Sequence, residues 1–181
     1  MELLYKALEG KFERILSGTC LTSFREENSK IVKKYDSFDE SKMAKMKEDF
    51  GMYISNYLFL KGYDSVNTSE SGDIVTAWKG ETEYSFLIDF DRNGNDGVLS
   101  VKVLDKGTKC GISDTDAKYV FIISVEKGIV ALMNCENIKS YVKEKKEGFG
   151  MLTETDSLFK SQYVTVDLTE ASRKARLFSL K

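Results

Sequence analysis

The sequence contains no histidine and no proline, and only three cysteines in 181 residues. The lack of histidine excludes Ser-His-Asp triads, histidine-bearing zinc sites and any imidazole general base. Cys20, Cys110 and Cys135 are far apart and odd in number. That argues against a disulfide framework or a four-cysteine zinc site, and reads as buried or half-buried thiols. Without proline there are no proline turns and no cis-proline switches. No apolar run approaches the roughly 18 residues of a membrane-spanning helix. The opening stretch MELLYKALEGKFERIL carries charges throughout and lacks a basic-then-apolar signal pattern, so a cytoplasmic protein with no membrane partner is expected. Neither sign of charge dominates: 27 Lys and Arg stand against 29 Asp and Glu, a formal charge of -2. That excludes a generally basic nucleic-acid coat and leaves room only for a local basic face.

Apolar residues make up 41% of the chain and aromatics 12%, enough for a packed core without disulfides or metals. Leu4, Leu8, Phe12 and Ile15 predict a helix over 1–17, stopped at Gly18. A weaker helix is expected from Ser23 to Tyr35. The polar connector 35–39 then leads to a third helix, Glu40 to Lys61, with Met43, Met46, Phe50, Ile54, Tyr57 and Leu58 as its stripe and Gly62 as its cap. After Gly62 the period shortens to that of strands: 74–78, 84–90 and 98–104, the last two joined through the Asn93-Gly94 turn. The unbroken apolar run 118–124 suits a central strand covered on both faces. A short strand at 129–133, a helix at 136–146, a strand at 163–168 and a closing helix from Thr169 complete the chain. The expected fold is α+β, a mixed α/β sandwich: N-terminal helices, a three-strand meander over about 73–104, then further strand–helix units around a central mixed sheet. Residues 1–38 form the N-terminal helical region and 39–181 the α/β domain, read together as one compact unit.

This order of elements resembles the PD-(D/E)XK nuclease superfamily, in which a helix precedes a β-meander. In that family an Asp on one strand and a (D/E)-x-K triplet on the next converge on Mg²⁺. Two carboxylates hold the hard cation through oxygen and the lysine orients the attacking water. Asp89 and Asp91 end one expected strand, and Ser100-Val101-Lys102 lies on the next, with Ser100 where the family has an acid. The resemblance implies Asp89, Ser100 and Lys102 as the catalytic set. Asp105, Asp114 and Asp116 are candidates for a recruited carboxylate, and Glu48 for the helix acid. A second register pairs Asp73 with Leu87-Ile88-Asp89, and in it both the acid and the lysine of the triplet are missing; the candidate metal ligands are Asp73, Asp89 and Asp91. The segment 107–119 resembles phage-type members, with Gly111, Ile112, Thr115, Ala117 and Tyr119 fitting a Ser-Gly-Ile-x-x-Thr-x-Ala-x-Tyr pattern and Cys110 in place of the serine.

The resemblance implies a nuclease-like, phage-type protein with a degenerate site that acts on or binds nucleic acid, DNA in preference to RNA. If active, it would be a Mg²⁺-dependent endonuclease or exonuclease. The alternative is a non-catalytic interaction or inhibitor protein that reuses the fold to bind a host protein. Plainer readings stand beside each residue. Asp73, Asp89 and Asp91 also suit turns, and Lys102 and Glu48 suit solvated faces. Asp89-x-Asp91-x-Asn93-Gly94 also resembles the start of a calcium loop, but position 12 is Ser100 and the flanks are strands. Basic residues cluster at Lys139, Lys143, Lys145 and Lys146, and again at Arg173, Lys174 and Arg176, which are candidates to track phosphate. Trp78 reads either as core or as a stacking platform for bases.

Overall fold

A computed structural model describes residues 23–92, 97–105, 108–140, 162–167 and 175–180. A helix over 23–34 (α1) leads through a short connector to a 3-10 turn, Glu40–Lys42, and then to α2, Met43–Leu60. Asp39 caps the turn by accepting the Ser41 N–H at 3.0 Å. α2 stops where its sequence stops being apolar at helical spacing. The Tyr63 N–H reaches the Leu58 carbonyl at 3.2 Å, and the Gly62 N–H reaches that of Phe59 at 2.9 Å. This closure requires a left-handed residue, and Gly62 supplies it at φ 81. The helix expected over 1–17 lies outside the described residues. So does the helix expected at 136–146 beyond its start, α3, over 135–140.

Among the described residues nine strands follow: β1 (Ser65–Thr68), β2 (Ile74–Lys79), β3 (Thr82–Phe90), β4 (Val98–Asp105), β5 (Thr108–Lys109), β6 (Tyr119–Ser124), β7 (Ile129–Asn134), β8 (Gln162–Asp167) and β9 (Ala175–Ser179). Six of them form a sheet in the order β1-β2-β3-β6-β7-β9. Every neighbour in it is antiparallel except β3 and β6, which run parallel. The fold is α+β, with the helices first and a mixed sheet after them. β6 lies inside that sheet between β3 and β7, as its apolar run predicts.

The membership of the meander differs from expectation. The three antiparallel strands are β1, β2 and β3, and β4 leaves the sheet. It pairs instead with β5 and β8 in a second, three-stranded sheet. The edge of β3 is filled by β6, so β4 turns its apolar residues down onto the sheet rather than continuing it. Leu99 and Val103 of β4 are buried to 0% and 1% exposure against Leu87, Val120 and Ile122. The closing helix expected from Thr169 is corrected in part: 175–179 is β9, the sheet's last strand, and 169–174 lie outside the described residues.

The central sheet therefore separates two cores. Val75, Phe86, Ile88, Phe90, Phe121 and Ile123 face α1 and α2. Leu87, Val120, Ile122, Ala131 and Met133 face the second sheet and Ile138 of α3. Each large apolar side chain taken fully out of water contributes roughly 1.5–3 kcal/mol before entropy is counted. α1 joins the first core through Ile31, and outside that core its Phe24 ring stacks on that of Phe59 with centroids 5.8 Å apart. Just beyond its end, Tyr35 donates its hydroxyl to the Asp49 carboxylate, which also holds Lys34.

Candidate functional site

On the second-sheet side, the central sheet is not covered evenly. An open cleft of about 760 Å³ lies where β2 and β3 form a floor and β4 with residues 110–117 form a wall. Lys47, Asp73, Asp89, Arg92, Lys102 and Cys110 are among the side chains that line it.

Asp73 enters from the turn before β2. Gly72, at φ 72, lets this turn lie against α2: a β-carbon there would stand 3.1 Å from the Lys47 carbonyl carbon. Asp73 accepts hydrogen bonds from the hydroxyls of Ser69 and Ser71 and lies 3.6 Å from Lys47 Nζ. Burial works to raise its pKa, but the Ser71 hydroxyl and Lys47 outweigh it and hold the carboxyl below its ordinary value. Its main-chain oxygen takes the Ile88 N–H at 2.7 Å, which places Asp73 beside the end of β3.

Asp89 projects from that end of β3 into the space between the sheets and is 7% exposed. Oδ1 accepts the Phe90 N–H at 2.8 Å, while Oδ2 is buried with no hydrogen-bond partner. Burial pushes its pKa up, against the pull of Arg92, Lys47 and Lys102. Arg92 lies 3.9 Å from Asp89 and 3.7 Å from Glu40. Its guanidinium is held between the rings of Phe38 and Tyr163, at 5.2 and 5.7 Å from their centroids. Burial alone would lower the Arg92 pKa, but Asp89 and Tyr163 reverse this and raise it. Lys102 reaches the same place from the second sheet, 3.9 Å from Glu40. Glu40 thus spans Arg92 and Lys102.

Asp89 and Lys102 line the same cleft, but from two sheets rather than side by side on one. Because β4 does not pair with β3, the register of Asp89 with Ser100-Val101-Lys102 as neighbouring strands does not occur. The turn residue Asp73 does lie beside the end of β3, in an antiparallel meander that follows a helix, but Leu87 and Asp89 stand where the second register would need an acid and a lysine. Ser100 is 5% exposed, and its N–H donates to Asp91 Oδ1 at 2.8 Å. Asp91, 1% exposed, accepts from Ser124 Oγ at 2.8 Å and from Lys127 Nζ at 2.6 Å. Its oxygens fasten the start of β4 to the end of β6.

Asp114 and Asp116 line the cleft as exposed carboxylates. Glu48 does not reach it; it pairs with Lys45 at 2.8 Å beside a second groove, between α2 and the turn before β2. The helical acid near the cleft is Glu40. Arg176 is exposed on β9, next to Tyr57 and three strands away from β3. Arg173 and Lys174 lie outside the described residues. Lys139 is committed to the cleft wall, donating to the Thr115 carbonyl at 3.0 Å.

The Mg²⁺ implied by the resemblance finds one buried carboxylate oxygen without a partner, Asp89 Oδ2. Among the described residues no three acidic, cysteine or histidine side chains are grouped to hold an ion. The described residues alone do not make a Mg²⁺ ligand set. Lys47, Glu40, Arg92 and Glu83 are cleft or near-cleft residues that the sequence pattern did not single out. Gly72 and Gly111, each beside a site aspartate, were the available signals for close backbone approach.

No helix among the described residues is long and apolar enough to cross a membrane. No family model matches the chain, and no curated protein and no solved structure matches it either.

Proposed function

We infer that this chain is a PD-(D/E)XK-like protein with a degenerate catalytic centre, and that its cleft holds the sugar–phosphate backbone of nucleic acid, DNA in preference to RNA. One observation carries the reading: Asp73 and Asp89 stand at neighbouring positions of an antiparallel meander that follows a helix, with Lys47, Arg92 and Lys102 gathered around Asp89. The gathering of two acids with lysines supports the likeness, and Leu87 and Asp89, standing where the family's triplet has its acid and its lysine, make the centre degenerate. Lysine ammonium groups on the cleft wall and floor supply point charges for phosphate, and Arg92 supplies a planar donor already fixed between two rings. Asp89 repels phosphate when ionised. When protonated it becomes a donor to a phosphate oxygen, and burial favours that form.

Binding of fluorescein-labelled single- and double-stranded DNA, followed by anisotropy at low salt, tests the reading. Micromolar binding that weakens steeply with salt is expected, with little or no cleavage on adding Mg²⁺. No binding to either form of DNA, or to RNA, would overturn it and leave a protein-binding role.

A further inference from the structure

Trp78 is the single tryptophan of the chain. The ring contacts of the described residues gather on the helix side of the central sheet, as between Phe50 and Phe90, Tyr57 and Phe121, and Phe86 and Tyr119. Trp78 takes no part in them. It alternates with Val75 and Ala77, which are buried at 0% exposure on the helix side, so its own ring faces the other way. On that face it is half-buried and belongs to neither core.

Its direct cross-strand partner is Glu83, exposed at the start of β3. Ile74 and Thr76 precede Trp78 along β2 on the same face, paired with Leu87 and Ser85 of β3. Glu83, Ser85, Leu87 and Asp89 form one stripe of β3, and all four line the cleft. A flat indole, the exposed Glu83 carboxylate beside it, the half-buried Ser85 and the buried Leu87 thus lead along the cleft floor to the buried Asp89 Oδ2. Glu83 and Asp89 are about 20 Å apart at the rise of a strand. That span suits about four nucleotides of a stretched single strand, the lower end of known site sizes.

We propose that the β2–β3 face is a single-strand nucleic-acid site, in which an unpaired base stacks on Trp78 and turns its exocyclic amino group to Glu83. The inference rests on the cleft being a nucleic-acid site, and it names the substrate form. Charge decides the orientation. The Trp78 end carries Glu83, and the wall carries Asp114 and Asp116, so this rim rejects phosphates and accepts N–H donors from base edges. The phosphates lie toward Lys47, Arg92 and Lys102. A duplex hides its base faces and edges and cannot use Trp78 this way. A carboxylate at Glu83 accepts from the N4 amino group of cytosine, whereas thymine has the acceptor O4 at that place and flanks its one donor, N3–H, with two carbonyl oxygens that repel the carboxylate.

The test uses the whole chain, with fluorescein-labelled and unlabelled (dC)8 and (dT)8. Anisotropy reports binding, and Trp78 fluorescence reports stacking with no other tryptophan to confuse it. Expected are quenching of Trp78 that saturates with the anisotropy, tighter binding of (dC)8 than (dT)8, and a loss of about 5- to 150-fold in affinity for Trp78→Leu. Trp78→Phe keeps a smaller ring and should fall between the two, which separates lost stacking from a damaged fold. Glu83→Gln should erase the preference for cytosine. Binding with unquenched Trp78 and an unaffected Trp78→Leu variant would overturn this inference while leaving the cleft as a phosphate site. Equal binding of (dC)8 and (dT)8 by the parent would overturn the assignment of Glu83. No binding of any oligonucleotide would overturn both readings.

Discussion

A β-carbon on Gly111 would stand 3.2 Å from Oδ2 of Asp89 and 2.9 Å from the main-chain oxygen of Lys102. The missing side chain is what lets the cleft wall close to this distance over the buried carboxylate. Gly111 also has φ 54, a conformation that strains any residue with a β-carbon. Gly111→Ala should destabilise the protein by more than about 1 kcal/mol in urea unfolding. Gly80→Ala is the matched control. Gly80 has φ 58 and open space around it, so its substitution reports the backbone strain without the collision. The excess at Gly111 measures the contact with Asp89 and Lys102.

Asp91 is predicted to matter for stability rather than chemistry. Asp91→Ala removes the acceptor for the Ser100 N–H, the Ser124 hydroxyl and the Lys127 ammonium at once. Breaking a buried charged network from one side costs about 3–5 kcal/mol. Denaturant unfolding should show that loss.

Asp89 should behave in the opposite way. Its folded pKa is raised by burial, so the folded protein holds the proton more tightly than the unfolded chain does. Stability therefore falls as pH rises from the ordinary aspartate value of 3.8 through the raised folded value, and the penalty is complete above it. Asp89→Asn should stabilise the protein by about 0.5–2 kcal/mol at neutral pH, as substitutions at functional sites often do. The gap should narrow as pH falls toward the ordinary aspartate value. Thermal unfolding of both proteins across that range checks the sign.

Phosphate contacts can be counted from salt dependence. Lys47→Glu and Lys102→Glu should each weaken DNA binding and lower the slope of log affinity against log salt by roughly one or more. Arg176→Glu should have a smaller effect if the cleft, and not the far edge of the sheet, carries the backbone.

Ser100→Glu separates the two registers of the resemblance. Ser100 is buried and does not line the cleft, so a glutamate there brings a charge into the packing between the sheets. The variant should lose stability and gain no Mg²⁺ affinity, as read by the shift of its melting temperature with added Mg²⁺.

Much of the frame was legible from local pattern. The apolar spacing of Met46, Phe50, Ile54 and Leu58 marks α2, Gly62 marks its end, and the unbroken run through Val120 to Ile123 marks an interior strand. The destination of β4 was not legible. Leu99 and Val103 alternate with polar neighbours in the same way whether the strand extends the central sheet or crosses to a second one. The choice depends on β6 filling the edge of β3, about thirty residues later. The roles of Asp89 and Asp91 were hidden for a similar reason. Two aspartates at a strand end look alike in sequence, yet one is saturated by Ser100, Ser124 and Lys127 while the other keeps a bare oxygen.

The parallel pairing of β3 with β6 has an evolutionary consequence. Parallel neighbours need a long return path, and here that path contains β4, β5 and the 3-10 turn Gly111–Asp114. Lys102, Cys110, Gly111, Asp114 and Asp116 all belong to it, whereas Asp73 and Asp89 belong to the hairpin-built floor. One excursion of the chain thus supplies the wall of the cleft. Substitutions and length changes within it can redirect what the cleft accepts while the hydrogen-bond ladder of the central sheet stays as it is. Lineages descended from such a protein would diverge first between β3 and β6, and a library that randomises this excursion alone is the economical route to new binding preferences on the same floor.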